Sequence, residues 1–135
     1  MKVIKSTFCT ILIFVLCGVL SISVFAAASP RGTCHLGVTA KRAETGGYAG
    51  TVGYGALDNS IESAGNVKLT LQLSDGTGYV SYATVTAAPG RSNSTSDWGN
   101  YPTEYFYKVV VVPSTIPAIG YPGCIADGHV YSGYG

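Results

Sequence analysis

Charge is scarce in this chain of 135 residues: Asp, Glu, Lys and Arg make up 11%, and neither sign forms a run. Beyond the first 28 residues the bases are Arg31, Lys41, Arg42, Lys68, Arg91 and Lys108, and seven acids balance them. That balance argues against nucleic acid and against a membrane surface as partners, because both want a basic patch. Helical periodicity is also missing, since no long window places apolar residues at i, i+3, i+4 and i+7. Groups for catalysis are few. His35 and His129 are the only histidines, and no G-x-S-x-G elbow occurs. Ser132 would fall on the opposite face of a strand from Asp127 and His129, which argues against a Ser-His-Asp triad. The acids sit mostly in apparent turns, and their spacing selects no pair for glycan hydrolysis. Two histidines beside Cys34 and Cys124 make a weak metal set, because paired thiols are lost to a metal. No catalytic residue, metal or cofactor is therefore expected.

What is present begins with a leader. Lys2 and Lys5 precede an apolar run from Ile11 to Phe25, and small residues follow at Ala26–Ser29. This is the pattern of a secretory signal peptide, residues 1–28, with cleavage near 26–28. The apolar run is shorter than the ~20 residues of a spanning helix. A single domain, residues 29–135, is then expected outside the cell, released from the membrane since no apolar tail follows. Cys9 and Cys17 leave with the leader. The remaining pair, Cys34 and Cys124, is expected to form one disulfide joining the ends of the domain, worth about 4 kcal/mol in the chain-entropy model.

The body reads as strands. Val67–Ser74 alternates strictly, with Val67, Leu69, Leu71 and Leu73 on one face and Lys68, Thr70, Gln72 and Ser74 on the other. Asp75–Gly78 supplies turn residues, and Tyr79–Ala87 resumes, which predicts a hairpin. CHLGVTA from Cys34 and GYAGTVGYGA from Gly47 predict two more strands, and a short one is expected around 125–131. Pro89–Pro102 is polar with proline at both ends, and is expected to be the longest loop. In TEYFYKVVVVPST, from Thr103, Tyr105, Tyr107, Val109 and Val111 share one face, which predicts a central core strand ended by Pro113.

Six or seven antiparallel strands in this length indicate an all-β Greek-key sandwich. LTLQLSDGTGYVSYATVTA followed by EYFYKVVVV resembles the immunoglobulin and fibronectin type III class of secreted modules. Tyr105 or Tyr107 is similar to the tyrosine corner of such folds. The cysteines at the domain ends and Trp98 in the expected loop depart from the antibody pattern, so a small barrel or jelly roll stays open.

For function, the expectation is a secreted module that binds without catalysis, with an extracellular glycan or protein as partner. The expected contact residues are Trp98, Asn100 and Tyr101 on the long loop. Five Gly-Tyr dipeptides, at 47–48, 53–54, 78–79, 120–121 and 133–134, offer either stacking rings or rings that cover glycines across strands. Asn93-Ser94-Thr95 matches an N-glycosylation acceptor. The alternative functions are a small secreted effector, antimicrobial or inhibitory, and, further off, a small glycan hydrolase.

Overall fold

A computed structural model describes residues 29–99 and 101–134. The expected signal peptide, 1–28, and the candidate Asn100 lie outside them. The described residues contain no helix and nine strands: β1 (Gly32–Leu36), β2 (Ala43–Glu44), β3 (Tyr48–Gly50), β4 (Val52–Asn59), β5 (Val67–Ser74), β6 (Tyr79–Ala87), β7 (Ser92–Asp97), β8 (Tyr105–Pro113) and β9 (Ala126–Gly133). They form two antiparallel sheets. Sheet A has the order β1-β9-β4-β7 and sheet B the order β2-β8-β5-β6, with β3 continuing the line of β2 along β8.

The core follows from the alternation. Leu69 lies opposite Val111, Leu71 opposite Val109 and Leu73 opposite Tyr107. These side chains point inward onto Leu57, Val130, Leu36 and Ala126 of sheet A. Burial of each large aliphatic side chain stabilises the fold by about 1.5–3 kcal/mol. The aromatic-valine stretch is accordingly β8, a central strand. Tyr107, Val109 and Val111 are fully buried, and Pro113 is its last residue. The predicted hairpin also forms: Asp75 Oδ1 accepts hydrogen bonds from the Thr77 amide and hydroxyl, and Gly76 takes φ 106°. Those bonds hold the Asp75 carboxyl below the usual carboxylate range.

Three expectations need correction. An immunoglobulin-type sandwich places strands ABED in one sheet and CFG in the other, so consecutive strands pair repeatedly. Here β5 and β6 are the only consecutive pair bonded to each other among the described residues, and most connections cross between sheets. Counting β2 and β3 as one interrupted strand leaves two four-stranded sheets in jelly-roll order. Second, Pro89–Pro102 is not all loop. Its Ser92–Asp97 portion pairs with β4 from Gly53↔Asp97 to Asp58↔Ser92 as the edge of sheet A. An edge strand whose outer face meets water needs no apolar alternation, which is why its polar sequence reads as loop. Third, the expected disulfide is not formed: Cys34 and Cys124 are buried free thiols. Cys34 lies opposite Gly128 in the β1-β9 ladder, four residues beyond Cys124, while the Gly123 amide bonds the Val38 carbonyl. Four residues of extended chain span roughly 13 Å, beyond the reach of a disulfide. Burial pushes the Cys34 thiol above its ordinary pKa.

Candidate functional site

Inward residues of sheet A fill the core, and its outward residues form the opposite face. From β1 these are Thr33 and His35, from β9 Asp127, His129 and Tyr131, from β4 Tyr54, Ala56 and Asp58, and from β7 Ser92, Ser94 and Ser96. The register aligns them in rows. One row runs Tyr131, Tyr54, Ser96; the next Thr33, His129, Ala56, Ser94; the third His35, Asp127, Asp58, Ser92.

The middle row makes the site. Ala56 and Ser94 are small, and they stand between the Tyr54 ring on one side and Asp58 on the other. The result is a shallow depression of about 380 Å³ lined by Tyr54, Ala56, Leu57, Asp58, Ser92, Asn93 and Ser94. Above it, the Tyr54 and Tyr131 rings meet edge to face, with centroids 5.5 Å apart and planes at 67°. Trp98, just past β7, donates from Nε1 to Ser96 Oγ at 2.8 Å and is 52% exposed, so its indole belongs to the same face. Burial, then the neighbouring Tyr54 and Asp58, push the Tyr131 hydroxyl above the ordinary tyrosine range.

The far row and its neighbours Thr33 and His129 in the middle row form a chain of polar contacts. His35 Nδ1 lies 2.7 Å from Asp127 Oδ1, and His129 Nε2 lies 3.4 Å from Asp58 Oδ2. Thr33 Oγ1 shares a 3.0 Å hydrogen bond with His129 Nδ1, and Ser92 Oγ donates to Asp58. Cross-strand Asp58 and Asp127 are directly opposed like charges, normally unfavourable, and each has a histidine beside it. The two histidines thus share a face, but among the described residues no three His, Cys, Asp or Glu side chains gather as a metal site.

The other sequence candidates separate by role. Tyr101 is tied down: its hydroxyl reaches Asp97 Oδ1 at 3.4 Å, its ring lies 4.5 Å from that of Tyr105, and it covers Gly99. That is structural work at the end of β7. Asn93 is exposed, but on a strand, with Nδ2 donating to the Thr86 carbonyl at 3.0 Å and Oδ1 accepting from the Ser94 amide. The side chain therefore stitches the edge of sheet A to that of sheet B. Among the Gly-Tyr rings, Tyr48 of sheet B covers Gly32 of sheet A, and the Tyr79 hydroxyl reaches Gly47; neither pair lies on strands that are bonded to each other, so these contacts are not the expected covering across neighbouring strands. The Tyr107 hydroxyl bonds the Asp97 carboxylate at 3.3 Å, whereas a tyrosine corner would bond backbone. Sequence reasoning missed Tyr54, Ala56, Asp58, Ser92, Ser94 and Tyr131 as a group; their alternation within strands was the available signal. A second recess, about 320 Å³ between Ala64, Asn66, Ser114, Pro117, Pro122 and Cys124, has no aromatic or charged side chain in its wall.

No family model matches the sequence, and no curated protein matches it. Solved structures of similar shape include PirA, at 8% identity and TM-score 0.47, covering 77% of this chain and 95% of that one. TmCBM61 in complex with beta-1,4-galactotriose is similar at 11% identity and TM-score 0.39, covering 73% and 68%. A family of disulfide-linked pili, the Bacillus endospore appendages, is similar at 18% identity and TM-score 0.37, covering 78% and 93%. All three scores lie below one half, and they carry no weight in assigning a function.

Proposed function

We propose that the domain is a non-catalytic binding module working outside the cell, and that the outward face of sheet A takes a glycan. The observation that carries this is the depression floored by Ala56 and Ser94, with aromatic rings along one side and hydroxyl-bonding groups along the other. A sugar ring has an apolar face that packs on tyrosine or tryptophan, and hydroxyls that need paired donors and acceptors. Tyr54, Tyr131 and Trp98 supply the first requirement; Asp58, Ser92, Ser94 and His129 supply the second. Because the two tyrosine rings meet edge to face, the surface is ridged, and a single chain lying across it touches both rings. Asp58 and Asp127 serve as acceptors in this reading, with the histidines and Ser92 orienting them.

The experiment is a glycan and cell-wall array probed with the purified domain beside Tyr54→Ala and Trp98→Ala. The parent should bind a restricted set of glycans, and Tyr54→Ala should weaken that binding about tenfold or more. Trp98→Ala should weaken it too, with little change in melting temperature because the indole is half exposed. Binding that survives Tyr54→Ala, or no binding by the parent, would remove this face as the site.

A further inference from the structure

The sandwich is open along one side, where β6 is the free edge of sheet B and β7 the free edge of sheet A. β7 follows β6 after residues 88–91, so the two edges run in opposite directions. Near that connection the Asn93 side chain closes the gap by bonding the Thr86 carbonyl at 3.0 Å. Further along, the start of β6 comes beside the end of β7, and the gap widens. Val80 lies opposite Leu73 and therefore points to the inner side of sheet B, yet it is 62% exposed. The β5-β6 register shifts between Leu71 and Gln72, which leaves Tyr82 as an extra residue in the ladder. Such a bulge re-aims a side chain, and Tyr82 is 48% exposed.

Tyr82 stands next to the aromatic end of β7. Burial, then the Asp97 carboxylate, and after them the neighbouring Tyr82 raise the Tyr101 hydroxyl above the ordinary tyrosine range. Tyr101 in turn bonds Asp97 and lies over Gly99, the residue after Trp98. Trp98 thus stands between two exposed surfaces: the outward face of sheet A, which it meets through Ser96, and the open side that carries Tyr82 and Val80. Charge is low along this side. β6 has no charged residue. Asp97 is buried, the Asp75 carboxylate holds Thr77, and Glu104 accepts from the Tyr134 hydroxyl at 2.7 Å. Lys108 Nζ lies 4.3 Å from the Tyr79 ring centre and 3.6 Å from Glu44 Oε2, and Arg31 precedes β1, three strands from β7.

We propose that the glycan surface of sheet A continues past Trp98 around this open side, where Tyr82 and Val80 form further subsites for an uncharged linear oligosaccharide. The inference rests on the glycan reading of sheet A. Ser94, in the depression, and Trp98 are four residues apart along extended chain, roughly 13 Å. That is more than one sugar ring covers, and Tyr82 lies beyond it. A short ligand fills the depression alone, whereas a longer one reaches Trp98 and then Tyr82. The Tyr82 ring offers an apolar face to the sugar and its hydroxyl a polar tip. A neutral chain fits this side because its bases are engaged or distant, leaving no partner for sulfate or carboxylate groups.

The test is titration calorimetry of the purified protein with ladders of neutral oligosaccharides, from disaccharide to hexasaccharide, built of glucose, galactose, mannose or N-acetylglucosamine. Affinity for one ladder should rise with length beyond the disaccharide. Tyr82→Ala should lower affinity for the hexasaccharide about tenfold and leave the disaccharide unchanged, with little change in melting temperature. Tyr82→Phe, which keeps the ring, should retain most of the gain. Affinity that stops rising at the disaccharide, but is still lost in Tyr54→Ala, overturns the extension and leaves the face of sheet A as the site. An equal effect of Tyr82→Ala at every length, or no effect at any, also overturns it. No binding of any ladder overturns it as well, and the glycan array then decides the sheet A face separately.

Discussion

Asp97 is the one acid that is fully buried among the described residues, at 1% exposure. Its Oδ1 accepts from the Gly99 amide at 2.9 Å and its Oδ2 from the Tyr107 hydroxyl. Tyr107 can reach it because Gly53, opposite Asp97 on β4, has no side chain; an added Cβ would overlap the Tyr107 ring. Burial, then the Asp97 charge, raise the Tyr107 hydroxyl above the ordinary tyrosine range, and Tyr101 shifts the same way. A raised folded-state pKa means the stabilisation is complete below the unfolded value, about 10 for tyrosine, and is lost as pH rises through the folded one. Melting temperature should therefore fall steeply above about pH 10. Tyr107→Phe should cost about 1 kcal/mol at neutral pH, because the bond is long and leaves Asp97 Oδ2 unpaired. It should also flatten the alkaline fall, so the two melting curves converge as pH rises; parallel curves would show that Tyr107 is not the group responsible.

At the scale of elements, the decisive feature is where the chain changes sheet. The stretch from Gly47 reads as one strand, yet β3 pairs with β8 in sheet B and β4 pairs with β9 in sheet A. The change happens at Gly50 and Thr51, where the Thr51 amide bonds the Gly133 carbonyl at 2.8 Å. A Cβ on Gly50 would lie 2.7 Å from Gly133 O and 2.9 Å from Gly133 N, and backbone atoms there cannot move aside. Gly50→Ala should accordingly cost about 3 kcal/mol, read as a lowered denaturant midpoint with unchanged slope. Neutral behaviour would mean that the crossover is looser than the contacts imply. The alternation in Val67–Ser74 and the turn at Asp75 made β5 and β6 legible in sequence. β7 was not legible, because Ser92–Asp97 is an outer edge whose pairing with β4 depends on a residue-to-residue match invisible in its own composition.

For the whole molecule, the thiols report on register. With Cys34 inside the β1-β9 ladder, Cys124 two residues before β9 begins, and both buried, the folded domain of residues 29–135 should resist a thiol reagent, and unfolding should expose two reactive thiols. No reactive thiol after unfolding would mean a bridge, and hence a β1 shifted along β9. Trp98 stood out in sequence as a single large ring, and its relation to Tyr54 through Ser96 did not.

The sequence by itself determined that the domain is all-β, which residues of β5 and β8 face the core, and where the principal hairpin turns. Those properties depend on near neighbours, through a two-residue period and turn chemistry, and are written in short windows. Strand order, the change of sheet at Gly50, the unpaired thiols and the depression over Ala56 were decided only by tertiary structure. Each depends on the pairing of residues far apart in the chain, and strands of the same hydrophobic pattern fit more than one such pairing.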